Sequence, residues 1–517
     1  MKTVYIDCFG ILYGKVGFSL MGIFDSHKKK DAWRFPSGKG LTLNGINAAG
    51  IDTFSDVPVD SITREGIQNS LDARDSAANG PVVVSFSAST IASAAIPGIT
   101  QLKSKTLPAI RDKWASSETA MAFFDTYESV IEAETVPVLK ISDFNTKGLA
   151  EKNWQSLIFV AGDSVKDDEA SAGSKGIGKF APFAASNLRM VFYHTISENE
   201  GERSIGVSQL VSYDTKTAGE VTQGPAYFSA GLSGSQYQPM QDTVPFKIDR
   251  KVSQFGTDLF VVGFKNDTDW QDLIKMSVLS NFLISIWTGE LEVQIEDEII
   301  NRDRLPILFA YFKKIEKENK GKRNAFKVTE DFKDAFRAFQ VLTNSDLKQL
   351  ALPGEMVETY DFIDSAQDAH LLLALLEDTN RKILQTRKSG MKINYKNHIS
   401  GSINFFGVFQ ATGQKLNKFL KDIENASHDD WYVDRIVDRK KKATARQFLK
   451  DLTRFYKTAV NDTFAIKNTV EMDAFQLDGV LIANGEQQAA TEDRSANLEQ
   501  KVANLKIKKY TQIARTN

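Results

Sequence analysis

The chain has 517 residues, one cysteine and no long apolar run. With Cys8 as the only thiol, an intramolecular disulfide and a Cys-based zinc site are excluded. Such sparing use of cysteine fits a reducing compartment, so we expect a cytoplasmic protein. No stretch of about eighteen apolar residues occurs, and the sequence therefore predicts neither a membrane span nor a membrane partner.

Histidine and net charge are also low. The five histidines are scattered without ligand spacing, so we expect no His-rich metal centre. The 64 Lys and Arg residues nearly balance the 66 Asp and Glu residues. This balance predicts no global attraction to nucleic acid and leaves room only for a local basic patch. Asp7 and Lys15 interrupt the apolar N-terminus, which we expect to form a strand or an ordered arm rather than a leader.

The length is too great for a single hydrophobic core, so two or three domains are expected. Changes in sequence texture divide the chain into four parts. They are an N-terminal arm (1–44), a first α+β domain (45–268), a second α/β domain (269–412), and a helical C-terminal region with a polar tail (413–517).

The first domain mixes helix and strand signals. A helix is predicted from Val59 to Ala77, and strands are predicted over 81–89, 136–144, 187–195, 205–213 and 256–264. The pattern favours an α+β class, a two-layer sandwich with helices on one face of a mixed sheet. It lacks the regular βαβ alternation of a Rossmann fold.

The segment REGIQNSLDA carries the most informative polar pattern. Glu65, Asn69 and Asp72 lie at i, i+4 and i+7, so they share one face of the predicted helix. Glu65 can polarise a water, Asn69 can ligate Mg²⁺ through its amide oxygen, and Asp72 can support the ion or the nucleotide. The alternative is an ordinary solvated helix face.

Three later segments add to this pattern, and two of them lie at the ends of predicted strands. In ISDFNTKGL, Asp143 follows a strand and can accept a hydrogen bond from an exocyclic amine, and Asn145 and Gly148 tolerate left-handed backbone angles. Gly256-Thr257 opens a strand, where the Thr257 hydroxyl can bond a base or a water. Each of these two segments, taken alone, is more typical of an ordinary strand exit or strand start than of a binding site.

A glycine-rich segment, GSKGIGKFA, precedes a predicted helix. Backbone N–H groups at Gly173, Gly176 and Gly178 can face phosphates there, and Lys175 or Lys179 adds positive charge. The segment is not a Walker A loop, because G-x4-G-K-[ST] is absent. A flexible turn is the plain alternative.

Taken in order, the four segments resemble the motifs of the Bergerat-fold ATPases. This group contains DNA gyrase B, MutL, the ninety-kilodalton heat-shock chaperones, histidine kinases and the Microrchidia (MORC) proteins. REGIQNSLDA resembles the N-box, SDFNTKGL and GSKGIGK the two glycine boxes, and Gly256-Thr257 the later Gly-Thr strand. The resemblance covers about residues 45–265. Within the group, the chain most resembles bacterial MORC-like and heat-shock-like ATPases.

The resemblance implies ATP and Mg²⁺ as ligands. Glu65 would be the general base, Asn69 the Mg²⁺ ligand and Asp143 the adenine contact, with a lid over 149–175. The implied nucleotide-binding set is Asn69, Asp72, Asp143, Asn145, Gly148, Gly173, Lys175, Gly176, Ile177, Gly178, Lys179, Phe180 and Thr257. The chain departs from the family at Asn145, which stands where D-x-G-x-G has its first glycine.

Glu65 bears on the reaction. Histidine kinases of this fold usually lack a carboxylate four residues before the Asn, so the resemblance favours hydrolysis over phosphotransfer. A non-hydrolysing ATP-binding scaffold and a protein kinase remain the alternatives.

The segment ILQTRKSGMKI, residues 383–393, resembles the second-domain segment that returns a cation to the γ-phosphate in gyrase-like members. Lys388 or Arg387 is the candidate, with Lys392 behind. The alternative is a basic surface hairpin with a tight turn at Ser389-Gly390.

The segment 438–457 is basic and carries Phe448, Leu452 and Phe455 at helical spacing. The apolar stripe is typical of core packing, and the basic face is typical of a solvated surface or of a contact with the DNA backbone.

The family analogy extends to the biological role. It implies an ATP-driven conformational switch with ATP-dependent homodimerisation. Some MORC-like and heat-shock-like members sit in bacterial restriction or anti-phage systems, which would supply protein partners.

Overall fold

The computed structural model describes residues 32–158 and 177–464, apart from short gaps at 234–235, 241–245, 247, 252, 266–268, 324, 378 and 426–427. All of these residues belong to the compact unit that ends at Phe464. The predictions for the chain before residue 32, for most of the lid and for the tail after 464 lie outside the described residues. Within the described part, no helix has the length and apolar character needed to cross a membrane.

The bounds of the elements are as follows. The strands are β1 (Ala32–Arg34), β2 (Ser37–Lys39), β3 (Val82–Ala92), β4 (Thr135–Phe144), β5 (Ser186–Ser197), β6 (Gly201–Gln209), β7 (Glu220–Thr222), β8 (Pro225–Ser229), β9 (Gly231–Ser233), β10 (Gln236–Gln238), β11 (Gly256–Phe264), β12 (Leu291–Ile295), β13 (Glu298–Ile300), β14 (Lys348–Ala351), β15 (Ala369–Leu375), β16 (Ile383–Thr386), β17 (Lys392–Lys396) and β18 (Phe405–Ala411). The helices are α1 (Ala49–Asp52), α2 (Pro58–Asp72), α3 (Ile99–Gln101), α4 (Leu107–Lys113), α5 (Glu118–Glu132), α6 (Glu151–Ile158), α7 (Ala181–Ala184), α8 (Trp270–Trp287), α9 (Leu305–Asn319), α10 (Glu330–Leu342), α11 (Gly354–Thr359), α12 (Gln414–Asp422) and α13 (Arg439–Phe464).

A mixed sheet of nine strands forms the centre of the first half of the chain. Its order is β1-β8-β6-β5-β11-β4-β3-β12-β13, and only the pair of β3 and β12 is parallel. The predicted α+β class with a mixed sheet is therefore confirmed. The strand predicted over 256–264 matches β11, and the strand predicted over 136–144 matches β4 within one residue.

Side chains along the central strands alternate between two cores. Val191 and Tyr193 of β5 join a core with α2 and α8, whereas Met190 and Phe192 join a second core with α4 and α5. The second core adds a helical cover on the face opposite α2. Strands buried on both faces read as continuous apolar runs, as in MVFY at residues 190–193.

Helix α2 is shorter than the sequence predicts. Pro58 opens it, where a missing N–H costs no helical bond, and it ends at Asp72 instead of Ala77. The chain beyond it pairs with the loop after β4. Asp75 N–H donates to the Asn145 carbonyl (2.9 Å) and Lys147 N–H donates to the Ala73 carbonyl (3.0 Å). These bonds compete with further helical turns, so the loop after β4 is tied to the C-terminal end of α2.

Helix α8 is buried along almost its whole length. A helix that is apolar all round is covered on all sides. It packs in the core shared with α2 and β12, and the same core includes Leu384, Phe406 and Val408 of the second sheet. The apolar core is thus continuous from the nine-stranded sheet through α8 to the second sheet.

The second sheet has the order β14-β15-β18-β16-β17. Its other face forms a third core with α12 and α13, in which Phe448, Leu452 and Phe455 are buried. The interpretation of this apolar stripe as core packing is confirmed, and the DNA contact stays a prediction. The bounds proposed for the domains also stay predictions. The first sheet extends past both bounds of the first domain, because it includes β1 from the N-terminal arm and β12 and β13 from beyond residue 268.

Candidate functional site

A cavity with about 700 Å³ of space, partly open to solvent, gathers residues from four separated segments of the first half. Helix α2, the loop after β4, the turn before α7 and the start of β11 all contribute. Seven residues singled out in the sequence line it: Glu65, Asn69, Asp143, Gly148, Gly178, Lys179 and Thr257. Its remaining wall is largely apolar, as expected for a pocket that takes an organic ligand.

Helix α2 places two of these side chains. Ile62 and Ile67 are buried against the sheet, which fixes the rotation of the helix. Glu65 then faces the cavity with 8% exposure, and Asn69, one turn later, is exposed. The predicted sharing of one face by Glu65 and Asn69 therefore holds at the cavity.

Asp143 is the centre of a hydrogen-bonded group. Its Oδ1 accepts from the Thr146 hydroxyl (2.6 Å) and from Thr257 N–H (2.8 Å), and its Oδ2 accepts from the Ser70 hydroxyl (3.1 Å). Burial raises the pKa of Asp143, and these donors act against that rise. We call Asp143, Ser70, Thr146 and Thr257 the Asp143 cluster.

The backbone around this cluster needs special conformations. Asn145 and Gly148 both adopt left-handed angles, with φ of 62° and 67°. Asn is among the few side chains that tolerate this region, and the Asn145 amide donates to the Pro81 carbonyl (2.7 Å). At Gly256 a Cβ would collide with the Asp143 carbonyl. The departure from the family pattern at Asn145 thus leaves a loop with the backbone angle that glycine would supply.

Arg250 supports the cluster from behind. It donates to the Asp143 carbonyl (2.7 Å) and the Thr257 carbonyl (3.1 Å), and it pairs with Asp258 (3.1 Å). His194 in turn bonds Asp258 (3.0 Å). Burial opposes the charge on Asp258, but hydrogen bonds from His194 and Arg250 hold its pKa well below the usual range. An ionised, fully paired group therefore anchors the loop after β4.

Glu65 lies directly against the turn before α7. A Cβ on Gly178 would collide with the Glu65 carboxylate, so only glycine allows this approach. Burial raises the pKa of Glu65, the charges of His428 and Arg64 lower it, and Asp72 raises it. We call Glu65, Asn69, Gly178 and Lys179 the Glu65 cluster.

Lys179 follows in the short 3₁₀ turn Gly178–Phe180. Burial lowers the pKa of Lys179 from its ordinary 10.5 to about 8. A desolvated ammonium is costly, and a bound anion would offset that cost. The cavity therefore holds two desolvated carboxyl groups, Glu65 and Asp143, and a desolvated amine, Lys179.

Not every predicted residue lines this cavity. Phe180 packs against Phe183 and Gly50, and Ile177 precedes the 3₁₀ turn without being in the cavity wall. Gly173, Lys175 and Gly176 lie outside the described residues.

Asp72, Arg387 and Lys388 line a neighbouring groove at the C-terminal end of α2. Asp72 is 3.9 Å from Lys421, and Arg387 pairs with Glu424. Lys388 is exposed, and its backbone N–H donates to Asn417 Oδ1 (2.7 Å). The hairpin of β16 and β17 is thus present as predicted from Ser389-Gly390, but it does not line the wall of the Glu65 cavity.

Sequence reasoning missed Ser70 and Arg250. Ser70 is adjacent to Asn69 on α2. It lies four residues after Gly66 and so shares its helix face, which lies against Ile141 of β4. Arg250 comes from an irregular segment with no motif, so no local signal marks it. Long-range pairing with Asp143, 107 residues away, becomes visible only in the fold.

A divalent cation in this cavity would need more oxygen ligands than the protein supplies. Among the described residues, no group of three His, Cys, Asp or Glu side chains could hold a metal. Asn69 presents one exposed amide oxygen, so further oxygens would have to come from bound phosphates and water. This donor set fits Mg²⁺ carried in with a nucleotide better than a metal held by the protein alone.

Comparisons with known proteins give only a loose likeness. No protein-family model matches the chain, and no curated protein matches it. Among solved structures, the B subunit of DNA gyrase from Myxococcus xanthus is similar over 79% of this chain and 90% of that chain, with 8% identity and a TM-score of 0.31. A superposition this loose says nothing about what the cavity binds.

Proposed function

We propose that the chain binds ATP with Mg²⁺ in the cavity between α2 and the turn before α7, and hydrolyses it. The observation that supports this is the convergence of seven motif residues from four segments on one cavity. Asp143 can accept a hydrogen bond from an amine, which suits the adenine end of ATP. Glu65, Asn69 and Lys179 supply a carboxylate, an amide and an ammonium group, which suit the triphosphate end.

Asp143 is suited to the adenine amine. Its Oδ1 is already occupied by two donors, whereas Oδ2 accepts only the Ser70 hydroxyl among the bonds described. A carboxylate oxygen takes two hydrogen bonds, so Oδ2 can accept a second one from the exocyclic amine. The surrounding apolar wall, with Ile141 and Leu259, would flank the base.

Glu65 is suited to activating water. It lies about one helical turn from Asn69, the proposed Mg²⁺ ligand, and it lines the same cavity as Lys179, which would meet the phosphates. A buried carboxylate is a stronger base than a solvated one, provided that it is ionised. In-line attack on the γ-phosphate would then need only positioning and charge stabilisation.

We further propose that ATP acts as a conformational switch. Arg387 already forms a buried ion pair with Glu424, whereas Lys388 is exposed. Lys388 is therefore our candidate for a contact with the γ-phosphate in a closed state. ATP-dependent homodimerisation, partner proteins, a MORC-like or heat-shock-like relationship and an anti-phage role rest on the motif resemblance alone. We keep them as predictions.

The test compares the purified full chain with Glu65→Gln. The wild type should release phosphate from Mg-ATP, and the variant should lose at least about 100-fold in kcat, in line with general-base catalysis. Its affinity for a non-hydrolysable ATP analogue should change little, because the carboxamide keeps the volume of the side chain. Retained hydrolysis in the variant would refute the assignment of Glu65.

A non-hydrolysing scaffold is the second candidate, because burial raises the pKa of Glu65. A carboxyl group that remained protonated could not act as a base. Tight Mg-ATP binding by the wild type, with no phosphate release across the pH range and in the presence of DNA, would favour this candidate. Transfer of the phosphoryl group to a protein would favour a kinase.

A further inference from the structure

The wall of the Glu65 cavity includes a tyrosine, Tyr193, that has no part in the proposed hydrolysis. Tyr193 lies on β5, where the alternation of side chains directs it into the core shared with α2 and α8. It is 5% exposed, and it lines the cavity together with Leu149, Leu157 and Pro182. Tyr193 is therefore both a core residue and part of the cavity surface.

The hydroxyl group of Tyr193 neither donates to nor accepts from any residue that the structure describes. Burial raises the pKa of Tyr193, and no hydrogen bond acts against that rise. A buried tyrosine hydroxyl usually finds a partner, because leaving it without one costs free energy. In this chain, for example, the hydroxyl of the buried Tyr360 donates to Asp451 at 2.6 Å.

The cavity gives Tyr193 access to a partner from outside the protein. The Tyr127 hydroxyl also lacks a partner, but it is enclosed in the second core. Tyr193 instead borders a cavity that is partly open to solvent. A ligand in this cavity can take the hydrogen bond that the protein does not supply.

The row of side chains that contains Tyr193 lies at the base end of the proposed ATP site. Leu259 of β11 is directly opposite Ile141 of β4 on one side and Tyr193 of β5 on the other. Ile141 and Leu259 would flank the base, and Asp143 lies two residues further along β4 on the same face. Since strands are about 4.8 Å apart, β5 lies about 10 Å from β4. A purine whose amine meets Asp143 would extend over Leu259 towards Tyr193.

We propose that the Tyr193 hydroxyl donates a hydrogen bond to a ring nitrogen of the adenine base. The unsubstituted ring nitrogens of adenine are acceptors, so a donor on this wall complements the acceptor at Asp143. The cavity would then recognise adenine through one donor and one acceptor on the protein. This proposal rests on the proposed function, because it needs adenine in the cavity. Tyr193 would bind the base and take no part in the attack of water.

Tyr193→Phe is the main variant, because it removes the hydroxyl and keeps the ring that packs in the core. Tyr127→Phe is the matched control, since Tyr127 is a buried tyrosine without a hydroxyl partner that lies outside the cavity wall. Calorimetric titration of the full chain with Mg-ADP gives Kd. ADP carries the same base as ATP and has no γ-phosphate to hydrolyse, so turnover does not disturb the titration.

We expect Tyr193→Phe to bind ADP about 3- to 10-fold more weakly than the wild type, as for the loss of one hydrogen bond. The Tm of the ligand-free variant should match or exceed that of the wild type, because no bond to a described residue is lost. Tyr127→Phe should keep the wild-type Kd. A merely structural tyrosine would give a lower Tm in Tyr193→Phe with no change in Kd, and this result would overturn the proposal.

Base analogues identify the atom that the hydroxyl contacts. The 1-deaza, 3-deaza and 7-deaza forms of ADP each lack one ring acceptor of adenine. The wild type should bind one of them about 3- to 10-fold more weakly than ADP. Tyr193→Phe should bind that analogue and ADP equally well, because the two changes remove the same bond.

The remaining outcomes separate this proposal from the one it rests on. If Tyr193→Phe binds ADP as tightly as the wild type, the contact does not exist. If its loss disappears with 2′-deoxy- or 3′-deoxy-ADP and with no deaza form, the hydroxyl contacts the ribose and the assignment to the base is wrong. In both cases the proposed function stands, provided that Glu65→Gln abolishes ATP hydrolysis. A wild type that binds no adenine nucleotide removes both proposals.

Discussion

The Asp143 cluster and the Glu65 cluster line the same cavity but are built differently. Asp143 is held by three hydrogen bonds from its own half of the chain, and Arg250 fixes its loop. Glu65 instead lies in a tight steric contact with Gly178 and beside Arg64, Asp72 and His428, of which His428 comes from the C-terminal region. The Asp143 carboxyl group is hydrogen-bonded within the first half of the chain, whereas the Glu65 cluster holds two desolvated groups, Glu65 and Lys179.

This difference suggests a division of labour. A hydrogen-bond network with one acceptor position left open is rigid and selects a ligand by shape and by its donor pattern. Desolvated groups of opposite sign, such as Glu65 and Lys179, are costly until a substrate or a cation arrives, and such groups collect at reactive centres. Substitutions in the Asp143 cluster should therefore act on affinity, and those in the Glu65 cluster on turnover or on its pH dependence.

The largest effect is expected from Gly178→Ala. The added methyl group would displace the Glu65 carboxylate, and a misplacement of about 1 Å can lower kcat about 100-fold. Steady-state phosphate release at saturating Mg-ATP measures it. Gly401→Ala is the control, because nothing lies within 4 Å of a Cβ at Gly401. Unchanged turnover in Gly178→Ala would show that the contact with Glu65 has no catalytic weight.

Asp143→Asn should act on affinity. The amide oxygen of Asn would accept from Thr146 and Thr257 N–H, which turns the NH₂ group towards the cavity and against the adenine amine. We expect ATP to bind about 10- to 100-fold more weakly, with kcat at saturation little changed. Calorimetric titration with a non-hydrolysable analogue measures this change.

A nucleotide without the amine provides the matched control for that substitution. Purine riboside triphosphate lacks a substituent at C6, so the wild type should bind it more weakly than ATP. Asp143→Asn should not weaken its binding further. Equal losses for both nucleotides would mean that Asp143 does not read the amine.

A smaller effect is expected from pH. The pKa of Lys179 is about 8, so the ligand-free protein loses this charge between pH 7 and pH 9. If only the ammonium form binds the phosphates, Kd for ATP rises about tenfold over that interval. Lys179→Arg should flatten the curve, since the guanidinium stays charged. A flat wild-type curve would place Lys179 away from the phosphates.

The same shift predicts a change in stability. Because the folded pKa is below the ordinary value of 10.5, the unfolded chain binds more protons between about pH 8 and 10.5. The free energy of unfolding of the ligand-free protein should therefore rise with pH through that window, and bound ATP should reduce the rise. Urea denaturation at several pH values measures both slopes.

The smallest effect is expected from Asn145→Gly, which restores the glycine of the family pattern. Glycine adopts a φ of 62° without strain, but the bond to the Pro81 carbonyl is lost. The two changes oppose each other, so the free energy of unfolding should move by less than about 1 kcal/mol. ATP affinity should stay constant. A large loss of affinity would show that the Asn145 side chain belongs to the Asp143 cluster.

Much of the fold follows from local pattern. The strands predicted over 256–264 and 136–144 alternate strongly in polarity or are strongly apolar, and both appear within one residue of where the sequence predicts them. Helix α2 was predicted to end five residues too late, because the residues that follow it pair with the loop after β4, at least 70 residues away. Periodicity carries no information about such pairing.

The candidate site divides in the same way. Glu65 and Asn69 could be placed together from helical spacing alone, whereas Asp143 and Lys179 needed the order of motifs. Arg250 could not be found, since it comes from an irregular segment and bonds to Asp143, 107 residues distant. Contacts of that range are decided by the packing of whole elements.

The continuous core around α8 has a consequence for how the chain can be handled. Strands β12 and β13 follow α8 in sequence yet extend the nine-stranded sheet beside β3. A fragment cut at residue 268 would lose both the sheet edge and the helix beneath it, and would expose a large apolar surface. The first half of the chain therefore cannot be separated from the rest: we expect residues 32–464 to melt in one cooperative transition, and shortened versions to aggregate.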